Sequence, residues 1–224
     1  GLVWLLIYVV FPSVSSAVLR YFVCTDLRGR RADGSAKVLR VMMADHNISC
    51  YSPKYQGPGM AYAVLTMFIY PIGIPSFFFV ELYRNRHKIN PDLERLPGET
   101  DAQLQRRKTV VREQDESIQH LAFLFDEYEP RCYLFIVFDC VRKLLLTGLL
   151  SFAYEGSGTQ LGIALFISVV SKEVLAWLGP FVEDVDNELA KAGELQIILV
   201  FIVGIMRLFK SSPQQDGAAG DLFK

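Results

Sequence analysis

Five charged residues stand inside two otherwise apolar stretches of this sequence, where their presence needs a chemical reason. The first three interrupt residues 132–154 and the last two interrupt residues 158–180; they are Asp139, Arg142, Lys143, Lys172 and Glu173. An ionised side chain at the centre of a bilayer costs at least about 2.5–3.5 kcal/mol, so each group needs a partner, water or the membrane interface. We therefore predict an intramembrane charge cluster.

The spacing of these charges predicts how they pair. A short link near residues 155–156 joins the two stretches, and in an antiparallel hairpin residues equally far from that link lie at equal depth. This geometry places Asp139 opposite Lys172. Arg142 lies about one turn away from that level and comes within reach of Glu173.

Asp139 and Lys143 are also one helical turn apart, which offers a further ion pair within one helix.

Three roles stay open for the cluster. The first is structural: paired charges and snorkelling side chains would stabilise the hairpin. The same groups would also suit a polar pathway for an ion or a proton, or a pocket for a lipid headgroup or another ligand.

Two long uncharged segments elsewhere in the chain are candidates for the membrane spans that surround these charges. Although 21% of the chain is charged, residues 1–19 and 55–80 contain no Asp, Glu, Lys or Arg. At a rise of about 1.5 Å per residue, either segment is long enough to cross the roughly 30 Å hydrocarbon core of a bilayer. We predict an all-α fold: a polytopic transmembrane helical bundle of about five spans with an additional cytoplasmic helical loop.

The predicted membrane domain comprises residues 1–210, and a disordered tail is predicted for residues 211–224. Spans are expected at about residues 2–22, 59–82, 132–154, 158–180 and 189–209, with polar loops at residues 24–58 and 83–131.

Two prolines and a glycine lie inside the second span, in the segment FIYPIGIPSFFFVEL. Pro71 and Pro75 are four residues apart and share nearly the same helix face, with Gly73 between them. Proline removes a backbone donor and clashes with the carbonyl four residues earlier, so we expect the helix to bend while its neighbours cover the freed carbonyl groups. The bend is either a packing kink or a hinge that moves during gating or transport.

The loop at residues 83–131 is predicted to be cytoplasmic because basic residues adjoin the end of the second span. They are Arg84, Arg86 and Lys88. Within this loop, Leu121, Leu124 and Phe125 have the spacing of one helix face, which suits contact with a membrane surface or a partner. A cytoplasmic partner is therefore expected at residues 84–131.

The loop at residues 24–58 is also basic, which weakens that orientation. It contains Cys24 and Cys50. These two cysteines would form a disulfide in an extracellular or lumenal loop, whereas free thiols are the alternative in a cytosolic one.

Other chemistry is missing from the sequence. The three histidines are scattered in loops and make no metal-ligand spacing with the cysteines, and there is no phosphate-binding glycine loop, GxSxG elbow or HExxH motif. We predict no metal, no cofactor, no catalytic residue and no nucleic-acid partner, and we do not expect an enzyme.

Several segments resemble the C-terminal membrane region of large protist and algal surface proteins, which is grouped with the TRP-like (transient receptor potential) C-terminal domain. They are FPSVSSAVLRYFVC, ADHNISCYSPKY, YPIGIPSFFF, LAFLFDEYEPRCYLF, VRKLLLTGLL and GPFVEDVDNELA. The resemblance covers about residues 12–202. It implies a helical bundle in a membrane, most naturally the plasma membrane, and a cation channel or channel-related sensor that assembles into homo-oligomers or a larger membrane assembly.

The sequence departs from a well-defined channel in one respect. The link at residues 181–188 is too short to hold a pore helix and a selectivity filter. A non-conducting membrane anchor or scaffold for a large extracellular region is the alternative function.

Overall fold

The computed structural model describes residues 2–30, 36–152 and 158–211, and the described chain is mostly helical. The predicted tail beyond residue 211 and the link near residues 155–156 lie outside the described residues. The helices are α1 (Leu2–Tyr21), α2 (Met60–Met67), α3 (Ile74–Arg84), α4 (Arg86–Ile89), α5 (Asp101–Glu113), α6 (Ala122–Phe125), α7 (Phe135–Phe152), α8 (Gly158–Leu178) and α9 (Asp184–Ser211), and the strands are β1 (Cys24–Arg30) and β2 (Ala36–Met42).

Four helices of the described chain are long and apolar enough to cross a membrane. They are Val3–Tyr21, Tyr55–Arg84, Gly158–Leu178 and Asp184–Lys210. The second of these is continuous because two π-helical segments, Tyr55–Gly59 and Phe68–Gly73, connect with α2 and α3. α7 is not one of the four; it carries the three charged residues of the third predicted span. The protein is therefore built as a membrane protein.

α1 runs antiparallel to the helix Tyr55–Arg84. Trp4, near the start of α1, stacks on Phe77 with ring centroids 5.2 Å apart, and Tyr21, at its end, stacks on Tyr55 at 5.1 Å. The bundle therefore has two ends. We name them the hairpin end, residues 24–54, and the loop end, residues 85–131 and 179–183.

The hairpin end contains a short antiparallel sheet that departs from the all-α prediction. β1 pairs with β2 in a register that sets Cys24 opposite Met42. A two-stranded hairpin is marginal by itself in water, so it needs other support. That support comes from a disulfide between Cys24 and Cys50 and from a small buried cluster of Met42, Cys50 and Tyr55.

The loop end contains the largest hydrophobic core of the described chain. Leu121, Leu124 and Phe125 are at most 1% exposed there, packed with Phe78 and Ile118. The prediction that this face contacts a membrane surface or a partner is therefore wrong for these three residues. Their helical spacing is that of a core face, and the core they belong to is made by the ends of the spans.

Candidate functional site

Asp139, in the second turn of α7, is the centre of a buried polar network. Its Oδ1 accepts a hydrogen bond of 2.7 Å from Nη2 of Arg142, and its Oδ2 lies 2.8 Å from Nζ of Lys143. The hydroxyl of Tyr8, in α1, also donates to Oδ2. Both carboxylate oxygens of Asp139 are thus occupied.

Arg142 and Tyr8 extend this network to two other helices. Arg142 forms a second ion pair through its Nη1, with Oε1 of Glu194 in α9. Lys143 donates a 2.6 Å hydrogen bond to the hydroxyl of Tyr8 and lies 4.0 Å from the centroid of its ring. The side chains of Arg142 and Glu194 are only 13% and 10% exposed, so water does little to solvate this pair. One network therefore ties α1, α7 and α9 together.

The predicted pairs across the helical hairpin are not formed. Nζ of Lys172 lies 3.1 Å from Oε1 of its neighbour Glu173, and these side chains are 32% and 68% exposed. Within the described residues, no ion pair joins either of them to Asp139 or Arg142. The physical reason is packing, since α7 lies mainly against α1 while α8 lies mainly against α9. The predicted pair of Asp139 with Lys143 is present.

Sequence reasoning missed Tyr8 and Glu194. Glu194 gave a usable signal because it is the single charged residue between Lys191 and Arg207, at the edge of an apolar run. Tyr8 gave none, since tyrosine is common near the ends of membrane spans for reasons unrelated to ion pairing.

A cavity of about 620 Å³ opens beside the network. Its lining joins charged residues of α7 and α9 to a set of apolar and aromatic residues from α7, α8, α9 and the loop end. The lining includes Glu127, Asp139, Arg142, Ser171, Leu175, Gly193, Glu194, Gln196, Val200 and the rings of Tyr8, Tyr128, Phe135, Phe138, Phe181 and Phe201. Cavities of about 300–1,000 Å³ with a few convergent polar groups are typical of ligand sites.

One polar atom in this cavity wall is unpaired. Oε2 of Glu194 is buried and has no hydrogen-bond partner among the described residues, whereas its Oε1 pairs with Arg142. A buried acceptor without a partner costs about 1–3 kcal/mol, and more when it is charged. Glu194 lines the cavity, so a rotation of its carboxylate would present this unpaired oxygen to a donor there.

Arg112, at the loop end, contacts a residue that lines the cavity. It is fully buried in α5, its Nη1 donates to the carbonyl of Tyr128 at 3.0 Å, and its guanidinium carbon lies 4.9 Å from the centroid of the Phe125 ring. Burial lowers the pKa of Arg112, and burial raises the pKa of the nearby Asp126 carboxyl. Tyr128 lines the cavity and Arg112 does not, so Arg112 positions part of the cavity wall without facing the cavity itself.

Two of the three predicted bend residues, Pro71 and Gly73, lie in a π-helical segment rather than at a sharp break. Pro71 is inside the segment Phe68–Gly73, and Pro75 is at the start of α3; both are buried in the bundle. A Cβ at Gly73 would come within 2.7 Å of the Phe68 carbonyl oxygen. A wider helical turn accommodates the missing donor of Pro71. The hinge that moves during gating or transport stays a prediction.

The cysteines separate into two groups. Cys24 and Cys50 are bonded to each other at the hairpin end, so the structure has the disulfide and not the free thiols. Cys132 and Cys140, toward the loop end, are buried free thiols. No three His, Cys, Asp or Glu side chains gather into a metal-ligand group in the part of the chain that the structure describes.

Comparison of the chain with protein-family models, with curated proteins and with solved structures found no match. The TRP-like resemblance therefore rests on the sequence segments alone.

Proposed function

We propose that the chain is a channel-type module for cations, or the sensor part of one, in which the network of Asp139, Arg142 and Glu194 is the core that moves. The observation that carries the proposal is a buried network of opposite charges and the Tyr8 hydroxyl, which joins three helices beside a cavity that these charges line. Ionisable groups inside membrane helices are expensive, and they mark ion pathways, proton relays, sensors and ligand sites.

The orientation that we propose follows from the disulfide. Disulfides persist in oxidising compartments, so the hairpin end, with Cys24 bonded to Cys50, faces outward. The loop end, which adjoins the buried free thiol of Cys132, then faces the cytoplasm, and the plasma membrane is the proposed location.

α7 serves as a fifth span in this proposal. Its three charges are paired with one another or with Tyr8 and Glu194, which lowers the cost of placing them in lipid. The link between α8 and α9, residues 179–183, holds no pore helix. A pore would therefore form between several copies or with another subunit.

Reconstitution into liposomes with a cation-flux readout tests this function. The wild-type chain is expected to raise potassium flux above that of empty vesicles. Arg142→Gln, which removes the charge between Asp139 and Glu194, is expected to change the flux at least about fivefold. Arg106→Gln, on the exposed face of α5, is the matched control and should leave the flux unchanged.

A folding control and a substitute variant accompany the flux measurement. Size-exclusion chromatography in detergent establishes that both variants fold, and Arg142→Lys replaces Arg142→Gln if the latter aggregates. A flat trace from well-incorporated wild-type protein would count against conduction.

The second candidate function is a non-conducting anchor for an extracellular region. The disulfide-closed hairpin favours it, because a covalently closed segment at the outer face is a stable base for further chain. A flat flux trace together with an unperturbed bundle would be the expected result for this alternative.

A further inference from the structure

The walls of the cavity between α7, α8 and α9 favour a cation over an anion. Three carboxyl groups line it, those of Glu127, Asp139 and Glu194, against the guanidinium of Arg142. Lys143, outside the lining, pairs with Asp139, so one negative charge remains in excess. Aromatic rings form much of the remaining wall, and the faces of such rings attract cations.

Only one of the buried carboxylate oxygens remains for a ligand. Asp139 uses both oxygens within the network, and Oε1 of Glu194 faces Arg142. Oε2 of Glu194 is buried and unpaired among the described residues. A charged N–H donor forms roughly twice as strong a bond to such an oxygen as a neutral donor does.

A metal ion fits this arrangement poorly. Divalent ions need several oxygen ligands, whereas Asp139 and Glu194 already share the positive charge of Arg142. A single hydrogen-bonding ammonium group needs one free oxygen and gains from the aromatic wall. An organic cation is thus the better match.

We propose that the cavity binds the primary ammonium group of an amphiphilic amine, which donates to Oε2 of Glu194 while its apolar body packs on the aromatic wall near Phe138. This ligand rests on the proposed function, because it would be what the moving core detects. The same chemistry is present in a free amine and in the headgroup of phosphatidylethanolamine, so the experiment must separate these sources.

Calorimetric titration of the detergent-solubilised chain with phenethylamine, which is an ammonium ion at pH 7, tests the site. Its uncharged isostere propylbenzene is the control ligand. We expect saturable binding of phenethylamine and none of propylbenzene. Glu194→Gln is expected to weaken the binding at least about tenfold, since it removes the charged acceptor.

Glu173→Gln is the matched control variant, because Glu173 is exposed and lies outside the cavity. It should bind as the wild type does. If Glu194→Gln fails to fold, Gly193→Leu decides the question. Gly193 lines the cavity and a Cβ there would meet no atom within 4 Å, so the added side chain has space beside the site and should obstruct binding.

Nanodiscs identify the source of the amine. If phosphatidylethanolamine is the natural occupant, titration in nanodiscs of that lipid shows weakened phenethylamine binding compared with nanodiscs of phosphatidylglycerol; if a free amine is the occupant, the two agree. Absence of saturable binding, equal binding of propylbenzene, or Glu194→Gln and Gly193→Leu binding like the wild type would overturn the amine site. Amine binding with a flat flux trace would refute conduction alone.

A separate observation concerns Asn47 at the hairpin end. Residues 47–49 read Asn-Ile-Ser, which is the acceptor sequence for N-linked glycans. The side chain of Asn47 is exposed in a turn that the Cys24–Cys50 disulfide closes, and its Nδ2 is 3.1 Å from Oδ1 of Asp45. A sugar chain there would meet solvent and not the bundle.

We infer that Asn47 is a glycosylation site, which requires the outward orientation of the hairpin end. In the reaction, Nδ2 of Asn47 forms a bond to the anomeric carbon of an oligosaccharide carried on a lipid pyrophosphate. The bond from that carbon to the pyrophosphate breaks, the lipid pyrophosphate leaves, and the amide proton passes to a base of the transferase.

Expression of the chain in insect cells, followed by glycosidase treatment, tests this site. A downward gel shift is expected for the wild type and for Asn85→Gln, but not for Asn47→Gln. A double variant, Asp92→Asn with Glu94→Thr, places an acceptor sequence in an exposed part of the loop end and should add no second glycan. An unshifted wild type, or a glycan at position 92, would overturn the inference.

Discussion

The two ends of the bundle are held together by different means. At the loop end, helix ends and a folded loop bury a continuous core that includes Phe78, Leu124 and the fully buried Arg112. At the hairpin end, the buried cluster is small and a disulfide spans it. The loop end is therefore stabilised by packing, whereas the hairpin end depends on a covalent link.

The two ends differ because they have different amounts of apolar surface to bury. A two-stranded hairpin cannot bury enough apolar surface to be stable alone, so a crosslink that limits the unfolded chain contributes much of its stability. The loop end can rely on non-covalent contacts, and its contacts reach the cavity through Tyr128.

The largest effect is expected from Arg112→Ala. The substitution leaves a cavity and removes the donor to the Tyr128 carbonyl, so we expect it to lower the free energy of unfolding by about 3–5 kcal/mol. Denaturant titration in mixed micelles measures this, and hydrogen exchange should show the loss at the loop end first. Arg106→Ala, exposed on the same helix, should change stability by less than about 0.5 kcal/mol; equal effects of the two variants would contradict the packing account.

Removal of the disulfide should affect the opposite end. We expect Cys24→Ser with Cys50→Ser to cost about 2–4 kcal/mol, because the unfolded chain regains the freedom of the closed loop. Amide exchange should quicken in β1 and β2 but not around Leu124. A reducing agent should reproduce the effect in the wild type and leave the double variant unchanged; faster exchange at both ends would show that the ends are not independent.

Gly59→Ala tests the packing at the junction of α1 with the hairpin end. A Cβ at Gly59 would collide with the hydroxyl of Tyr21 and come within 2.9 Å of the Lys54 carbonyl oxygen. We expect a loss of about 1–3 kcal/mol from this overpacking. Gly57→Ala is the matched control, since a Cβ there meets nothing within 4 Å. Thermal unfolding that is equal for the two variants would contradict this close approach.

The smallest effect concerns Asp115, which caps the 3-10 helix Glu116–Leu121 at the loop end. Hydrogen bonds from the hydroxyl and the backbone N–H of Ser117 hold the pKa of the Asp115 carboxyl below its ordinary value. Its contribution to stability is therefore complete at neutral pH, above the unfolded pKa, and is lost as the pH falls through the folded pKa. The pH dependence of unfolding in the acidic range should be slightly flatter for Asp115→Ala than for the wild type; identical profiles would show that the cap contributes nothing.

The sequence predicts the membrane-spanning helices well, but it does not predict what their side chains contact. Uncharged segments such as residues 55–80 are long enough to span a bilayer whatever they pack against, and the structure has a long apolar helix there. The face of Leu121, Leu124 and Phe125 was recognisable as a helix face, yet its spacing could not distinguish a core contact from an exposed one, because both need the same periodicity.

That apolar helices fill most of this chain, and that charges within them need partners, follows from the sequence alone, since hydrocarbon offers no partners. Which partners those are depends on how the helices pack. Arg142 meets Glu194 and Asp139 meets Tyr8 because the rotation and neighbours of α7 turn these side chains toward α9 and α1, and away from Lys172. Sequence distance from a turn fixes depth along a helix, but the direction in which a side chain points depends on how whole helices pack.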